Sequence, residues 1–125
     1  TRGELERAEE MYRKALAIEE ALGRKEGMAS DYGNLGILYW DRGELDRAEE
    51  MYRKSLAINE ALGRKEGMAS DYGNLGNLYR DRGELERAEE MYRKSLQLFS
   101  ELKSPQVKTI EELLKNLRSG TSDNG

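Results

Sequence analysis

The chain has 125 residues, the size of one ordinary domain, and a chain of this length buries roughly two thirds of the surface that its unfolded form exposes. It contains no cysteine and no histidine, which excludes disulfides, thiolate nucleophiles, imidazole bases and every common zinc ligand set except carboxylates. The 21 basic and 25 acidic residues are interleaved and give a formal net charge of -4, so we expect no nucleic acid partner.

The sequence also bears on location. No run of about 18 apolar residues is present, so we expect no membrane partner. The first residues, TRGELERAEE, have neither a leader pattern nor a Met, and we expect a piece of a longer protein. The lack of cysteine fits a reducing compartment, which favours a cytoplasmic location.

The sequence repeats itself with a period of 40 residues. RGELERAEEMYRK begins at residues 2 and 82, RGELDRAEEMYRK begins at residue 42, and the third copy continues to about Leu98. Only five positions differ between the first two copies. They are Glu6/Asp46, Ala15/Ser55, Glu19/Asn59, Ile37/Asn77 and Trp40/Arg80.

The first predicted helix covers residues 4–22 and recurs at 44–62 and 84–102. Its apolar residues follow the 3.6-residue period of an amphipathic helix, and the charged residues lie opposite. Pairs such as Glu49 and Arg53 are spaced for favourable contacts of about 0.2 to 0.5 kcal/mol each, so we interpret the charged side of these helices as a solvated surface.

The second kind of predicted helix covers residues 28–41 and recurs at 68–81. It carries Gly73 and Gly76, and each glycine costs about 1 kcal/mol relative to alanine inside a helix. That cost indicates that a neighbouring helix approaches closely. The glycine in the short DRGEL connection then makes successive helices antiparallel neighbours.

The last predicted helix covers residues 105–118, with Ser104 as its cap and Pro105 in its first turn. One face is apolar, as expected of a helix that covers the end of a stack. Its members are Val107, Ile110, Leu113, Leu114 and Leu117. Residues 119–125 are predicted to be a disordered tail.

The repeated unit resembles the tetratricopeptide repeat, whose signature is an aromatic residue, Leu-Gly, Tyr, Ala and a second aromatic residue. The matching residues are Tyr32, Leu35, Gly36, Tyr39, Ala48 and Tyr52, and again Tyr72, Leu75, Gly76, Tyr79, Ala88 and Tyr92. The unit departs from the family in its 40-residue length and in lacking a proline near Glu60. It is similar to the long-repeat class of Pins-type adaptors and kinesin light chains.

The resemblance implies an all-α solenoid of antiparallel helix pairs, about six helices in a single array over residues 1–125. The array would comprise a half repeat at 4–22, repeats at 28–62 and 68–102, and a capping helix at 105–118.

The resemblance also implies a non-catalytic scaffold that binds a protein or peptide segment along a concave surface, with no cofactor and no metal. Gly33 and Gly73 are expected to leave room there for a ligand backbone. The register places eight candidate contact residues on this surface: Asn34, Ile37, Trp40, Asp41, Asn74, Asn77, Arg80 and Asp81.

Two of the five differences between the copies fall one helical turn apart on that surface. Ile37 and Trp40 would form an apolar anchor, and Asn77 and Arg80 a polar, cationic site. Two alternatives stay open: five differences are few, and Trp40 could instead pack against a neighbouring helix.

A second hypothesis is a self-associating structural array, in which the chain forms a homo-oligomer through its exposed N-terminal helix. The first helix of its own repeat is absent, so an apolar face of residues 4–22 is expected to be bare. Its expected members are Leu5, Ala8, Tyr12 and Leu16.

Overall fold

The computed structural model describes residues 1–119. Within that range the chain forms six α-helices and no strand. They are α1 (Arg2–Leu22), α2 (Lys25–Asp41), α3 (Leu45–Leu62), α4 (Lys65–Asp81), α5 (Leu85–Glu101) and α6 (Gln106–Arg118). The chain divides into two compact units, Thr1–Gly63 with α1 to α3 and Arg64–Gly125 with α4 to α6.

In the first unit, α2 packs against both α1 and α3. The chain reverses between α2 and α3 through Gly43, whose φ of 77° is in the left-handed region. The ring of Tyr39 near the end of α2 lies against Arg47 near the start of α3. The two helices are therefore antiparallel. The core of this unit includes Leu16, Leu35, Leu38, Tyr39, Tyr52 and Leu56.

Glycine allows the two helices of each pair to approach closely. An ideal Cβ at Gly36 would lie 2.5 Å from Cδ1 and Cε1 of Tyr52, and the same distances relate Gly76 to Tyr92. Tyr52 is 2% exposed and Tyr92 is 0% exposed. Burial of a tyrosine ring therefore offsets the cost of a glycine inside each helix.

In the second unit, α5 packs against both α4 and α6. The buried hydroxyl of Ser95 donates a hydrogen bond of 2.8 Å to the backbone carbonyl of Ala69, which ties α5 to α4. α6 buries one side of its amphipathic surface. Its buried residues are Ile110, Leu114 and Leu117.

Gly73 is buried, and an ideal Cβ there would lie 3.4 Å from Ser95 Oγ and 3.7 Å from Ile110 Cδ1. The expectation that Gly73 leaves room for a ligand backbone is therefore wrong, because side chains of α5 and α6 occupy that side. Gly33 is half-buried, with Ser55 Oγ at 3.8 Å from an ideal Cβ.

Several helix bounds differ from the sequence prediction. α2 and α4 each begin three residues earlier, at Lys25 and Lys65, and a glutamate in the first turn complements the partial positive charge of the helix N-terminus. α6 begins at Gln106, whose N–H donates to Ser104 Oγ at 3.1 Å. Ser119 is the last described residue, so the rest of the predicted tail at 119–125 lies outside the described residues. The single array over 1–125 stays a prediction.

Candidate protein-interaction surface

The outer face of α2 carries the four candidate residues of the first unit. Asn34 and Asp41 are exposed, Ile37 is 43% exposed and Trp40 is half-buried. Ile37 and Trp40 are three residues apart on one helix, so their side chains are neighbours on its surface. The first unit therefore presents an apolar pair flanked by an amide and a carboxylate.

The corresponding face of α4 in the second unit has different chemistry. Asn74 and Asn77 are half-buried, and Asn77 Oδ1 accepts a hydrogen bond of 2.5 Å from the hydroxyl of Tyr92. Asn77 thus helps to hold α4 against α5, a role that the sequence reasoning missed. Burial raises the pKa of the Tyr92 hydroxyl to about 12, with nearby Arg80 lowering it and Asp81 raising it.

Arg80 is paired with its neighbour in sequence. Its Nε and Nη2 each donate a hydrogen bond of 3.2 Å to Asp81 Oδ1. The positive charge predicted for this site is therefore largely balanced by an adjacent carboxylate. The structure brings Asn77, Arg80 and Asp81 together around Tyr92, and it places Ile37 beside Trp40 within the other unit. That the two sets form one concave surface stays a prediction.

α1 exposes an apolar face that its later copies bury. Met11 is 70% exposed, whereas Met51 is 8% and Met91 is 9% exposed. Ala48 and Ala88 are fully buried, but Ala8 is half-buried in α1. Tyr12 and Ala15 are also half-buried, whereas the residues at their positions in α3 and α5 are buried. Those residues are Tyr52, Ser55, Tyr92 and Ser95. We call this set, Ala8, Met11, Tyr12 and Ala15, the open face.

The prediction of a bare face on the first helix is wrong for Leu16, which is buried at 7% exposure in the unit where α2 packs against α1. The other three predicted members, Leu5, Ala8 and Tyr12, are half-buried. Among the described helices, α2 precedes and packs against α3 and α4 precedes and packs against α5, whereas none of those described covers the Met11 side of α1.

A charged cluster joins α1 to the α2–α3 hairpin, although the charged side of residues 4–22 was predicted to be solvated. Glu9 accepts hydrogen bonds from the Tyr39 hydroxyl at 2.6 Å and from Arg42 Nη1 at 2.8 Å. Arg13 and Arg47 each donate to the Tyr39 hydroxyl as well. These hydrogen bonds, that from Tyr39 above all, lower the pKa of Glu9 to about 2.

A glutamate with so low a pKa stays ionised at neutral pH and is a poor general acid. The cluster therefore stabilises the packing of α1 against the α2–α3 hairpin. The register could have revealed it, because Glu9 recurs as Glu49 and Glu89, each four residues before an arginine.

Asp31 is a second carboxyl group that sequence reasoning missed. It is 9% exposed, and its Oδ2 has no hydrogen-bond partner. Burial, with a smaller contribution from the charge of Glu19 on α1, raises the pKa of Asp31. Glu19 is one of the five positions that change between the copies, where Asn59 stands in the second.

Over residues 1–119, no helix is long and apolar enough to cross a membrane. In the same range, no three or more aspartate or glutamate side chains are grouped so that they could hold a metal ion.

Antiparallel helix pairs that recur in the sequence and seat an aromatic ring against a glycine define a helical-repeat protein. The tetratricopeptide repeat family matches residues 1–61 and 43–101, and the chain belongs to that family. The predicted family and the all-α fold class are therefore confirmed. Repeats of this family generally mediate protein–protein interaction and form non-catalytic scaffolds.

The other comparisons add to the fold. Among solved structures, the crystal structure of BtubC (BKLC) from P. vanneervenii is similar, with a TM-score of 0.69 and 22% sequence identity. The match covers 96% of this chain and 59% of that chain, so the present chain spans 59% of that protein's length. At this identity the likeness shows the fold alone. The search of curated proteins gives no match.

Proposed function

We propose that the chain is a non-catalytic scaffold that binds an extended or helical segment of another protein through the outer faces of α2 and α4. Ile37 and Trp40 form its apolar anchor, and the amides of Asn34 and Asn74 pair with the backbone of the bound segment. The partner that we propose is a protein segment, and neither nucleic acid, membrane nor a cofactor is part of the proposal. The cytoplasmic location stays a prediction.

The exposure of Ile37 carries this proposal. At the same position of the second copy, Asn77 makes a hydrogen bond to Tyr92 within the unit. Ile37 has no polar group to use in this way, and 43% of it is exposed to solvent. An exposed isoleucine next to a tryptophan is the kind of apolar anchor that fills a pocket or covers a side chain of a partner.

A peptide display library selected on the intact chain tests the proposal. Affinities of the enriched peptides are then measured by fluorescence polarisation against the double variant Ile37→Asn with Trp40→Arg, which gives the first copy the residues of the second. We expect at least about a tenfold loss of affinity, the effect of an interface residue worth more than about 1 kcal/mol.

Leu62→Asn is the matched control, because Leu62 is also 43% exposed but lies at the end of α3. We expect it to leave the affinity unchanged. Equal affinities of all three chains, at similar melting temperatures, would contradict the proposed anchor.

A second candidate function is self-association through the open face of α1. The contrast between Met11 and its buried counterparts Met51 and Met91 favours it. Sedimentation velocity at about 10 to 100 micromolar, a range chosen against micromolar affinities, tests it. We expect a concentration-dependent dimer that Met11→Glu abolishes, and a monomer throughout that range would refute self-association.

A further inference from the structure

The last turn of α2 carries a carboxylate that is not paired with a cation. Asp41 ends α2, where the partial negative charge of the helix C-terminus adds to that of the side chain, and this turn has no basic residue. The next residue, Arg42, lies against Glu9 instead, with its Nη1 at 2.8 Å from Glu9 Oε1. Within residues 1–119, the exposed carboxylate of Asp41 makes no salt bridge and no hydrogen bond.

The second copy shows how the chain itself can satisfy this position. α4 also ends at an aspartate, Asp81, but it has Arg80 in its last turn. Nε and Nη2 of Arg80 each donate a hydrogen bond of 3.2 Å to Asp81 Oδ1. Trp40 takes the place of this arginine in α2. The difference between the copies therefore adds an apolar side chain and also removes the cation that would neutralise the aspartate.

We propose that Asp41 binds an arginine of the partner segment, which takes the place that Arg80 holds in the second copy. This inference rests on the proposed function and names the chemistry of the partner, a basic and apolar segment of another protein. A guanidinium group donates two parallel hydrogen bonds to one carboxylate, which favours arginine over lysine. The bound segment also shields the charge pair from water, and this strengthens the attraction.

Three exposed groups on α2 set the order of the groups in the partner. Asn34, Ile37 and Asp41 are separated by three and four residues, so their side chains follow one stripe of the helix. At a rise of 1.5 Å per residue, the stripe presents an amide, an apolar side chain and a carboxylate over about 10 Å. A partner that fits it brings a backbone group, an apolar side chain and an arginine in the same order.

An extended segment fits this stripe better than a helical one. The amide of Asn34 needs backbone groups that are not already hydrogen-bonded, and a helix uses most of its own. In an extended chain, side chains two residues apart point to the same side at a separation of about 6 to 7 Å. Ile37 and Asp41 are about 6 Å apart along the axis of α2. The expected motif is therefore an apolar residue and an arginine with one residue between them.

Paired synthetic peptides test the role of the charge. Peptides are selected from a fully randomised display library on the intact chain, and those that lose affinity for the double variant Ile37→Asn with Trp40→Arg are kept. Each is made with arginine, or with citrulline, which is similar in shape but uncharged, two residues from its apolar anchor. By fluorescence polarisation in about 50 mM salt, we expect the arginine form to bind about fivefold more tightly. The difference should shrink in about 1 M salt, where the Debye length is about 3 Å.

Two variants of the chain should abolish this preference in different ways. Asp41→Asn removes the carboxylate, and Trp40→Arg supplies an internal guanidinium group as in the second copy. In both, the ratio of the affinities for the arginine and citrulline peptides should fall below about twofold, even where Trp40→Arg weakens the binding of both. Glu26→Gln is the matched control, because Glu26 is an exposed carboxylate in the first turn of the same helix. It should keep the fivefold ratio.

Some results would overturn the inference and leave the apolar anchor of the proposed function standing. One is a set of anchored peptides without enriched arginine at this spacing, or with citrulline forms that bind equally well. Another is a preference for arginine that Asp41→Asn does not reduce, or that Glu26→Gln reduces to the same extent. If instead no selected peptide loses affinity for the double variant, the proposed function itself fails and the inference fails with it.

Discussion

Two glycines in α2 should respond in opposite directions to the same substitution. An ideal Cβ at Gly36 would lie 2.5 Å from two ring atoms of Tyr52, which is 2% exposed and has no room to move. An ideal Cβ at Gly33 would lie 3.8 Å from Ser55 Oγ, an ordinary contact. Gly36→Ala should therefore destabilise the fold, and Gly33→Ala should stabilise it.

The magnitudes follow from two opposing effects. Alanine gains up to about 1 kcal/mol over glycine inside a helix, and Gly33→Ala should keep most of that gain. Overpacking a rigid core costs about 1 to 3 kcal/mol, so Gly36→Ala should lose up to about 2 kcal/mol after the helical gain of about 1 kcal/mol is subtracted. The two variants should thus differ by about 1 to 3 kcal/mol in the free energy of unfolding.

Urea unfolding followed by circular dichroism measures this difference. We expect the midpoint to fall for Gly36→Ala and to rise for Gly33→Ala, with similar slopes. Stabilisation by both substitutions would show that Tyr52 does not pack on Gly36 as described, and the argument for close helix approach would be refuted.

Three other predictions concern polar groups. Asn77→Ile should cost about 1 to 3 kcal/mol, because it leaves the buried Tyr92 hydroxyl without its acceptor, and adding Tyr92→Phe should recover most of that loss in a double-mutant cycle. The lowered pKa of Glu9 means that its contribution to stability is fully present above about pH 4.5 and is lost as the pH falls toward about 2, so Glu9→Gln should flatten this part of the pH profile. Glu19→Asn, which copies the second repeat, should stabilise the chain at pH 7 by about 0.5 kcal/mol, because it removes a negative charge near buried Asp31. The pKa of Asp31 is raised in the folded state, so ionised Asp31 destabilises the fold at neutral pH, and this destabilisation is lost as the pH falls through the raised pKa. Glu19→Asn should therefore make the gain in stability on lowering the pH smaller.

Each of these predictions has its own control. An additive loss from Asn77→Ile and Tyr92→Phe would exclude the hydrogen bond as the cause. Glu10→Gln is the control for Glu9, because Glu10 is exposed and pairs only with Lys14 among the contacts described. If Glu9→Gln and Glu10→Gln changed the stability at acid pH to the same extent, the special role of Glu9 would be contradicted. If Glu19→Asn did not raise the free energy of unfolding at pH 7, charge repulsion between Glu19 and Asp31 would be contradicted.

The sequence predicted the helices and the family well because both depend on local, repeated patterns. The period of the apolar residues and the recurrence of Leu35-Gly36 and Leu75-Gly76 were enough to place the helix pairs and to predict their close approach. Periodicity shows which face of a helix is buried. It does not show which neighbour covers that face.

The missed features all depend on contacts between residues on different helices. Asn77 was assigned to a ligand surface, but its side chain bonds to Tyr92, fifteen residues further along. The charged side of residues 4–22 was predicted to be solvated, but Tyr39 and Arg42 of the next hairpin donate hydrogen bonds to Glu9 on that side. For α1, a comparison of its residues with their counterparts, position by position, could have identified Met11 as the exposed member.

The most direct test of the central claim, a scaffold that binds a protein segment through the outer face of α2, is an amide NMR shift map. A display-selected peptide is titrated into the intact, labelled chain, and the perturbed amides are assigned. We expect the largest shifts at Asn34, Ile37 and Trp40, and none of that size at the exposed ends of α3 and α5 near Leu62 and Leu102. Shifts confined to other helices, with α2 unchanged, would contradict the account.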